Sequence, residues 1–318
     1  MSVYPIMLPI LFCIGLGYLS TKFALLKRTN HRSLSKITRT VFIPTLLFIN
    51  TATLAVPSGY SWHFLAAYYC GVFIVFVLAN LVSRCILRTP LNKQGAFSVA
   101  ATYSNTVIVG IPVCLYMLGE RALLPVFILL SINTLVVFGL GIIWAEWQST
   151  SVKSLNARIL NVGGTLILNP LIASLLMGSL LRVLHITIPP VIEHTLAFIA
   201  QAALPLSLFI LGGSLYQYSL RKQWRPALVI SLIKLIVLPL CVWLFSRYLF
   251  DLRPLWASVA TLIAAMPVGL NAYFFSDTQN SCADTVGASI LISTLLSTVT
   301  ISLIAILLHL PATTTVLN

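Results

Sequence analysis

A series of ten apolar runs constrains this chain more than any other feature of its sequence. Each run holds about 20 residues, which is the length that an α-helix needs to cross the hydrocarbon core of a membrane. Since 8% of the residues are charged, against about a quarter in an ordinary soluble domain, a soluble fold is excluded. We expect an all-α integral membrane protein whose ten transmembrane helices lie near residues 3–20, 38–55, 63–83, 97–118, 122–145, 162–181, 193–216, 227–249, 255–275 and 285–309.

Lysine and arginine are distributed unevenly between the segments that join these runs. Fourteen of the 19 basic residues follow the first, third, fifth and seventh runs, and segments rich in lysine and arginine face the cytoplasm in membrane proteins. Both termini are therefore predicted to lie on the outer side. The same distribution accounts for the net charge of +13, so that we expect the lipid bilayer as a partner and no nucleic acid.

Two of the runs contain residues that a plain transmembrane helix does not need. Proline removes a backbone donor and collides with the preceding turn, and glycine loosens a helix. The freed backbone groups are tolerated at membrane depth only inside protein or beside a watery cavity. Two such runs in corresponding places of two half-chains point to a transporter's substrate site. We expect breaks in the fourth and ninth helices, caused by Gly110, Pro112, Pro267 and Gly269.

The chain also divides into two similar halves. The polar segment 146–161 is predicted to be a cytoplasmic linker between a first five-helix repeat, 1–145, and a second, 162–318. Because each half holds an odd number of runs, the second half enters the membrane in the opposite sense, and the expected fold is two inverted five-helix repeats with broken crossover helices 4 and 9. At a constant offset of 161 residues, Pro9 matches Pro170, Gly17 matches Gly178, Pro44 matches Pro205, and Leu47-Phe48 matches Leu208-Phe209.

Polar side chains beside the two breaks are the first candidates for substrate binding. The amides of Asn105 and Asn271 can hydrogen-bond a carboxylate, with Ser104 next to them, and half-helix ends offer backbone N–H groups with positive dipole character. The alternative is that each asparagine merely satisfies the broken backbone. The sequence leaves both interpretations open.

Lys234 is the one basic residue in the interior of a run. A charge at that depth costs a few kcal/mol on insertion scales and normally faces a cavity or a partner. No acidic residue lies within the apolar core of a run, so the expected partner is an anionic substrate or a set of backbone carbonyls. The alternative is a side chain that extends to the membrane interface.

Three more polar residues are candidate substrate contacts. Asn133 lies inside the fifth run, and Asn50 and Thr51 follow Pro44 in the second. For Asn133 the alternative is an interhelical hydrogen bond, worth about 1 kcal/mol. The six cysteines are scattered and are expected to pack as small apolar residues. No histidine or cysteine pair has metal-ligand spacing, and we predict no metal, cofactor or catalytic residue.

Three elements together resemble the auxin efflux carrier family: Ser104-Asn105…Gly110-Ile-Pro112, Met266-Pro267…Asn271 and Pro44-x-x-x-Phe48. The resemblance covers nearly the whole chain and is to the bacterial relatives of the plant carriers. It implies a scaffold of spans 1, 2, 6 and 7 and a moving transport unit of spans 3–5 and 8–10. It also implies a bacterial inner membrane with both termini periplasmic, and a scaffold-to-scaffold homodimer.

The function expected from these features is secondary active transport of small organic anions by alternating access of an elevator type. Mono- or dicarboxylates such as malate, malonate or auxin-like acids are the substrates that the resemblance implies. The alternatives are a sodium- or proton-coupled bile-acid-like symporter, an intramembrane enzyme and a channel. An ATP-driven pump is disfavoured because no GxxxxGK[ST] occurs, and an enzyme because no HExxH, GxSxG or buried carboxylate pair occurs.

Overall fold

A computed structural model describes residues 4–25, 28–53, 62–148, 170–184, 186–217 and 220–308, with the single residues 164 and 168. These residues are helical apart from turns and two short breaks. The π-helical turns are Thr38–Phe42, Thr106–Gly110, Ile233–Val237 and Phe245–Leu249, and Glu120–Ala122 is a 3₁₀ turn. The α-helices are Tyr4–Lys22, Arg28–Ile37, Ile43–Thr53, Trp62–Cys85, Leu91–Thr102, Ile111–Leu118, Leu123–Gln148, Pro170–Val183, Pro190–Gln201, Ala203–Gln217, Leu220–Leu232, Leu238–Leu244, Pro254–Ala265, Leu270–Thr278 and Ala283–Leu307.

Several of these helices are suited to a bilayer. By length and composition, five helical stretches of the described chain can each cross a membrane. They are Trp62–Cys85, Glu120–Gln148, Pro190–Gly213, Gln223–Leu249 and Ala283–Leu307. Shorter apolar helices are Thr106–Leu118, Ala173–Val183 and Pro254–Ala265. Thr106–Leu118 begins at one break, and Pro254–Ala265 ends at the other. The chain is an integral membrane protein, and the arrangement in ten spans with an inverted repeat stays a prediction.

Proline positions shape the helix that carries Lys234. Pro239 has no N–H to donate to the preceding turn, and the wider π-helical turn Ile233–Val237 comes directly before it. Such turns interrupt the regular ladder of backbone hydrogen bonds and are frequent at functional sites. Lys234 lies within this turn and is completely buried.

Helix contacts divide the chain into two compact units. The first unit comprises Met1–Leu8, Val56–Val137 and Arg221–Asn318, and the second comprises Pro9–Ala55 and Phe138–Leu220. The first unit therefore holds runs 3, 4, 8, 9 and 10 with most of run 5, and the second holds most of run 1 with runs 2, 6 and 7. The family resemblance implies the same grouping for a transport unit and a scaffold.

The first unit is built around its third-run helix, Trp62–Cys85. This helix packs against Leu91–Thr102 and Leu238–Leu244, and Gly71 lets it approach the side chain and backbone of Val242. The rings of Phe64 and Trp256 meet edge to face with centroids 4.9 Å apart. Large side chains that are almost wholly buried fill the interior, among them Phe64, Tyr68, Phe76, Phe97, Phe274 and Phe275.

In the second unit, helix Ile43–Thr53 packs along Pro170–Val183 and also contacts Pro190–Gln201. Gly178 lies against the carbonyl of Phe48, and a Cβ atom at this position would come within 2.7 Å of that oxygen. The short helix Arg28–Ile37, which the apolar pattern does not predict, brings His31 to the carbonyl oxygen of Ile210, 2.9 Å away.

Candidate functional site

The two broken spans cross in the first unit through their backbones. Helix Leu91–Thr102 ends before Tyr103, and helix Pro254–Ala265 ends before Met266, which is extended. Ser104 and Val268 then pair as an isolated antiparallel bridge. The N–H of Asn105 donates to the carbonyl of Pro267, and the N–H of Gly269 donates to that of Tyr103, both at 2.9 Å. We call residues 103–105 and 266–269 the crossing.

The residues expected to cause the two breaks differ in where they lie. Pro267 and Gly269 are in the second break itself, but the first break precedes Gly110 and Pro112 by several residues. The π-helical turn Thr106–Gly110 resumes the helix first, with the carbonyl of Asn105 accepting from the N–H of Gly110 at 3.0 Å. Pro112 is the second residue of the regular helix Ile111–Leu118, which continues directly from this turn, so its missing N–H falls inside the returning half-helix. Gly110 and Pro112 therefore shape the returning half-helix and do not form the break.

Helix ends of both polarities meet at the crossing. Helices Thr106–Leu118 and Leu270–Thr278 begin there, and Leu91–Thr102 and Pro254–Ala265 end there. The first turn of a helix presents unpaired N–H groups and a partial positive charge, whereas the last turn presents carbonyls and a partial negative charge. An anion is favoured at the two starting ends, and a cation at the two finishing ends.

The Tyr103 hydroxyl is the centre of a small hydrogen-bond network beside the crossing. The Asn271 side-chain Nδ2 donates to it at 3.1 Å, and it lies 2.7 Å from the Thr134 Oγ1. Asn271 is thus joined to the opposite broken span. Tyr103 and Thr134 were not singled out from the sequence as binding residues, since tyrosine and threonine are ordinary in transmembrane helices.

Three buried polar atoms lie at or near this network: Ser104 Oγ, Tyr68 Oη and Asn133 Oδ1. The hydroxyls of Tyr68 and Ser104 lie beside each other and have no further hydrogen-bond partner in the described chain, and Asn133 Oδ1, one residue before Thr134 of the network, has none there. A buried polar group that goes unpaired costs about 1–3 kcal/mol, so such groups are normally paired with protein, water or ligand. These atoms give the site hydrogen-bonding capacity that the fold itself does not use.

Asn105 is part of the crossing, next to Ser104. Its backbone N–H is used by the crossing and its side chain is 7% exposed, so the amide lies at the edge of the buried region. Its backbone carbonyl accepts from the two N–H groups of Val109 and Gly110, at 3.3 and 3.0 Å. The backbone of Asn105 itself is therefore satisfied by main-chain partners, and its side-chain amide is not needed for that purpose.

Lys234 points its amine at the end of a half-helix. The Nζ donates to the carbonyl oxygen of Ala264 at 2.5 Å, in the last turn of Pro254–Ala265 and two residues before the second break. The side chain is 0% exposed, which rules out extension to an aqueous interface. The sequence predicts an anionic substrate or backbone carbonyls as the partner of Lys234, and the structure provides one backbone carbonyl.

Ser293 also contributes to the second break. Its hydroxyl accepts a hydrogen bond from the N–H of Val268 at 3.0 Å and lies 3.2 Å from the carbonyl of Ile290. Ser293, Thr294 and Ser297 are all buried.

Asn50 and Thr51 belong to the second unit, unlike the other five predicted binding residues. The Thr51 hydroxyl donates to the carbonyl of Leu47 at 2.7 Å, and its Cβ lies beside Gly178. Thr51 is thus engaged within its own unit, while Asn50 is exposed. The structure brings together Ser104, Asn105, Asn133, Lys234 and Asn271 in the first unit.

A separate polar cavity of about 430 Å³ lies at another end of the first unit and contains none of the predicted residues. Arg88, Lys93 and Arg225 line it together with Cys282 and Asp284. The Cys282 thiol lies 3.6 Å from the carbonyl of Lys93, and burial raises the pKa of this thiol. In the part of the chain that the structure describes, no group of three histidine, cysteine or acidic residues is placed to hold a metal ion.

Comparison with known proteins finds similarity over nearly the full length. A family model described as Membrane transport protein matches residues 2–305. A Rhizobium meliloti (strain 1021) protein named "Putative malonate transporter" is 23% identical over 297 residues, which cover 93% of each chain. An "Uncharacterized transporter" of Methanothermobacter thermautotrophicus is 26% identical over 95% of this chain and 97% of that protein. The "Lysosomal cholesterol signaling protein" of Mus musculus is 26% identical over 93% of this chain, which spans 37% of that protein.

Proposed function

Because the chain belongs to the Membrane transport protein family, the auxin efflux carrier family that its sequence resembles, we propose that it is a secondary carrier of small organic anions. Family and relatives indicate a transporter rather than an enzyme. The substrates proposed are mono- or dicarboxylates such as malonate, malate or auxin-like acids. The name of the Rhizobium relative makes malonate the first one to test.

The observation that carries this proposal is the crossing, where two half-helices begin beside unused hydrogen-bonding groups. Backbone N–H groups at a helix start bind carboxylates and phosphates well. In our proposal the carboxylate lies at the starts of Thr106–Leu118 and Leu270–Thr278. The amides of Asn105 and Asn271 and the hydroxyl of Ser104 donate to it, with the hydroxyl of Tyr68 beside Ser104.

Asn133 and Lys234 have supporting places in the proposed site. The buried Asn133 oxygen has no partner among the described residues, so it suits a neutral donor on the substrate, such as a hydroxyl group or a protonated carboxyl. Lys234 supplies positive charge at the opposite side of the second break, next to Ala264. Asn50 and Thr51, in the second unit, stay proposed substrate contacts.

The proposed mechanism is alternating access in which the first unit moves as the transport unit and the second acts as the scaffold. The two-unit division supports this assignment, because the proposed binding groups of both broken spans lie in one unit and move together. The proposed setting is the inner membrane of a bacterium with periplasmic termini, and the proposed assembly is a homodimer through the scaffold.

The experiment that tests the function combines binding and transport by purified protein. We expect malonate, malate or indole acetate to raise the thermal unfolding temperature of the wild type and not that of Asn105→Ala. Proteoliposomes that hold the wild type are expected to take up the stabilising acid in its radioactive form, with saturation. If none of these acids binds or enters, the assignment to carboxylates is wrong.

A further inference from the structure

Lys234 presents a charge problem that the described protein does not solve. Its amine is completely buried and has one hydrogen-bond partner in the described chain, the carbonyl of Ala264. An ammonium group has three donors and one positive charge, and removing it from water without a counter-ion costs several kcal/mol. An amine escapes this cost when it gives up its proton or when an anion binds beside it.

Among the described elements packed against Lys234, none places a carboxylate beside its amine. The turn Ile233–Val237 contacts helices Pro254–Ala265, Ala283–Leu307, Leu91–Thr102 and Trp62–Cys85. The first of these has no titratable side chain. The titratable and charged side chains of the other three, with Cys241 in the adjoining helix Leu238–Leu244, are Asp284, Lys93, His63, Tyr68, Tyr69, Cys70, Arg84 and Cys85.

The one carboxylate among them is far along its helix. Asp284 lies nine residues before Ser293, which contacts the second break, and this corresponds to about 13 Å along the helix axis. Asp284 also lines the separate cavity together with Lys93, so these two charges are near each other. Among the titratable side chains on these helices, Tyr68 has its hydroxyl at the crossing, next to Ser104.

The position of Lys234 is one that carriers use for a coupling ion. In broken-helix transporters the finishing ends of half-helices and unwound carbonyls hold the sodium ion or proton that accompanies the substrate. Here the finishing end of Pro254–Ala265 is occupied by a lysine amine that is part of the protein.

We infer that Lys234 carries one proton together with each transported anion, an inference that rests on the proposed function. In the empty carrier the neutral amine donates one N–H to Ala264. When the anion binds at the crossing, a proton from the same aqueous side binds the lone pair of the Lys234 nitrogen. The ammonium and the anion balance each other while the transport unit moves. On the far side the anion leaves and the proton returns to water, so that charge and protons are conserved.

The test measures anion and proton movement in the same vesicles. Proteoliposomes are loaded with a fluorescent pH indicator and given radioactive malonate, malate or indole acetate in separate runs. For the acid that enters, we expect internal acidification that follows uptake at about one proton per anion beyond any proton released by the acid itself. Uptake without this additional proton overturns the role of Lys234 and leaves the anion carrier intact. Uptake of none of the three acids overturns both.

Two substitutions separate a proton carrier from a structural lysine. Arginine keeps its proton at every working pH, so Lys234→Arg is expected to bind and exchange the anion while proton movement is lost. Lys234→Met is expected to lose at least tenfold in uptake. Lys93→Met, at the separate cavity, is the matched control, and it should move as many protons per anion as the wild type. If Lys234→Arg moves protons as the wild type does, the proposal is wrong. If Lys234→Arg does not fold, the number of protons that the wild type moves per anion still tests the proposal.

Discussion

Gly17 lies directly against the backbone carbonyl of Phe209, and a Cβ atom at this position would overlap that oxygen. The contact between Gly178 and the carbonyl of Phe48 is its counterpart, since a shift of 161 residues converts Gly17 to Gly178 and Phe48 to Phe209. Each half of the chain therefore contributes one glycine and one carbonyl. This reciprocal pair supports the internal repeat proposed from the sequence.

Replacement of Gly17 or Gly178 by alanine is expected to destabilise the protein by about 1–3 kcal/mol, because the added methyl group meets rigid backbone. Thermal unfolding in detergent, followed by intrinsic fluorescence, measures this effect. Gly15→Ala is the control in the same helix, since a Cβ atom there meets nothing within 4 Å. Equal unfolding temperatures for Gly15→Ala and Gly17→Ala would contradict the close approach.

Gly269→Ala is expected to disturb the crossing itself. The added Cβ would lie 2.5 Å from a carbon of the Tyr103 ring and 2.8 Å from the carbonyl oxygen of Ser104. Transport should fall at least tenfold, because a shift of about 1 Å in a binding site costs affinity and orientation. Uptake by proteoliposomes is the measurement, with Gly139→Ala as a control that has open space. Wild-type uptake by Gly269→Ala would show that the crossing tolerates displacement.

Asn105→Ala and Asn271→Ala are expected to fold and insert normally yet lose transport by roughly 10- to 100-fold. A hydrogen bond to a charged group contributes about 1.5–3 kcal/mol, which corresponds to this range. Size-exclusion chromatography checks folding, and initial uptake rates check transport. Asn92→Ala serves as the control, because Asn92 is exposed and accepts from Ser281 through its backbone. Normal uptake by both crossing variants would refute the proposed site.

Cys282 is expected to react slowly with maleimide at neutral pH. It is buried in a turn outside the membrane-spanning segments, and burial raises the pKa of its thiol, so the reactive thiolate is scarce. Its labelling should accelerate only as the pH rises above the ordinary range of a thiol. Variants that retain either Cys282 or the exposed Cys85 allow the two rates to be compared. Equally fast labelling of both at pH 7 would show that Cys282 is accessible.

Much of the helical organisation is readable from the sequence, because a bilayer demands long apolar runs. The existence of two interrupted spans was also predictable, since Pro267 and Gly269 have no place in an unbroken helix. The position of the first break was not. Gly110 and Pro112 suggested it, but the chain unwinds at Tyr103–Asn105, where pairing with Pro267 and Gly269 replaces the lost helical hydrogen bonds. That partner is more than 160 residues away, and local propensity carries no information about it.

Side-chain partners were the least predictable part of the site. The burial of Lys234 follows from its place in an apolar run, but its bond to Ala264 depends on which helix packs beside it. In the sequence, Tyr68 and Tyr103 look like ordinary aromatic residues of transmembrane helices. Their hydroxyls become part of the site because the fold places Tyr68 near Ser104 and Tyr103 near Asn271. Thr51 is a predicted substrate contact, and its sequence position alone does not show that its hydroxyl donates to the carbonyl of Leu47.

The crossing is held by main-chain bonds between Asn105 and Pro267 and between Tyr103 and Gly269. Main-chain N–H and C=O groups are the same in almost every amino acid, proline's missing donor being the exception. Side chains at positions such as 104 and 105 are thus released from the task of joining the two spans. Selection is free to exchange them for others that suit a different solute while the junction persists. A junction of this kind allows proteins of one fold to bind different solutes while the main-chain crossing stays the same.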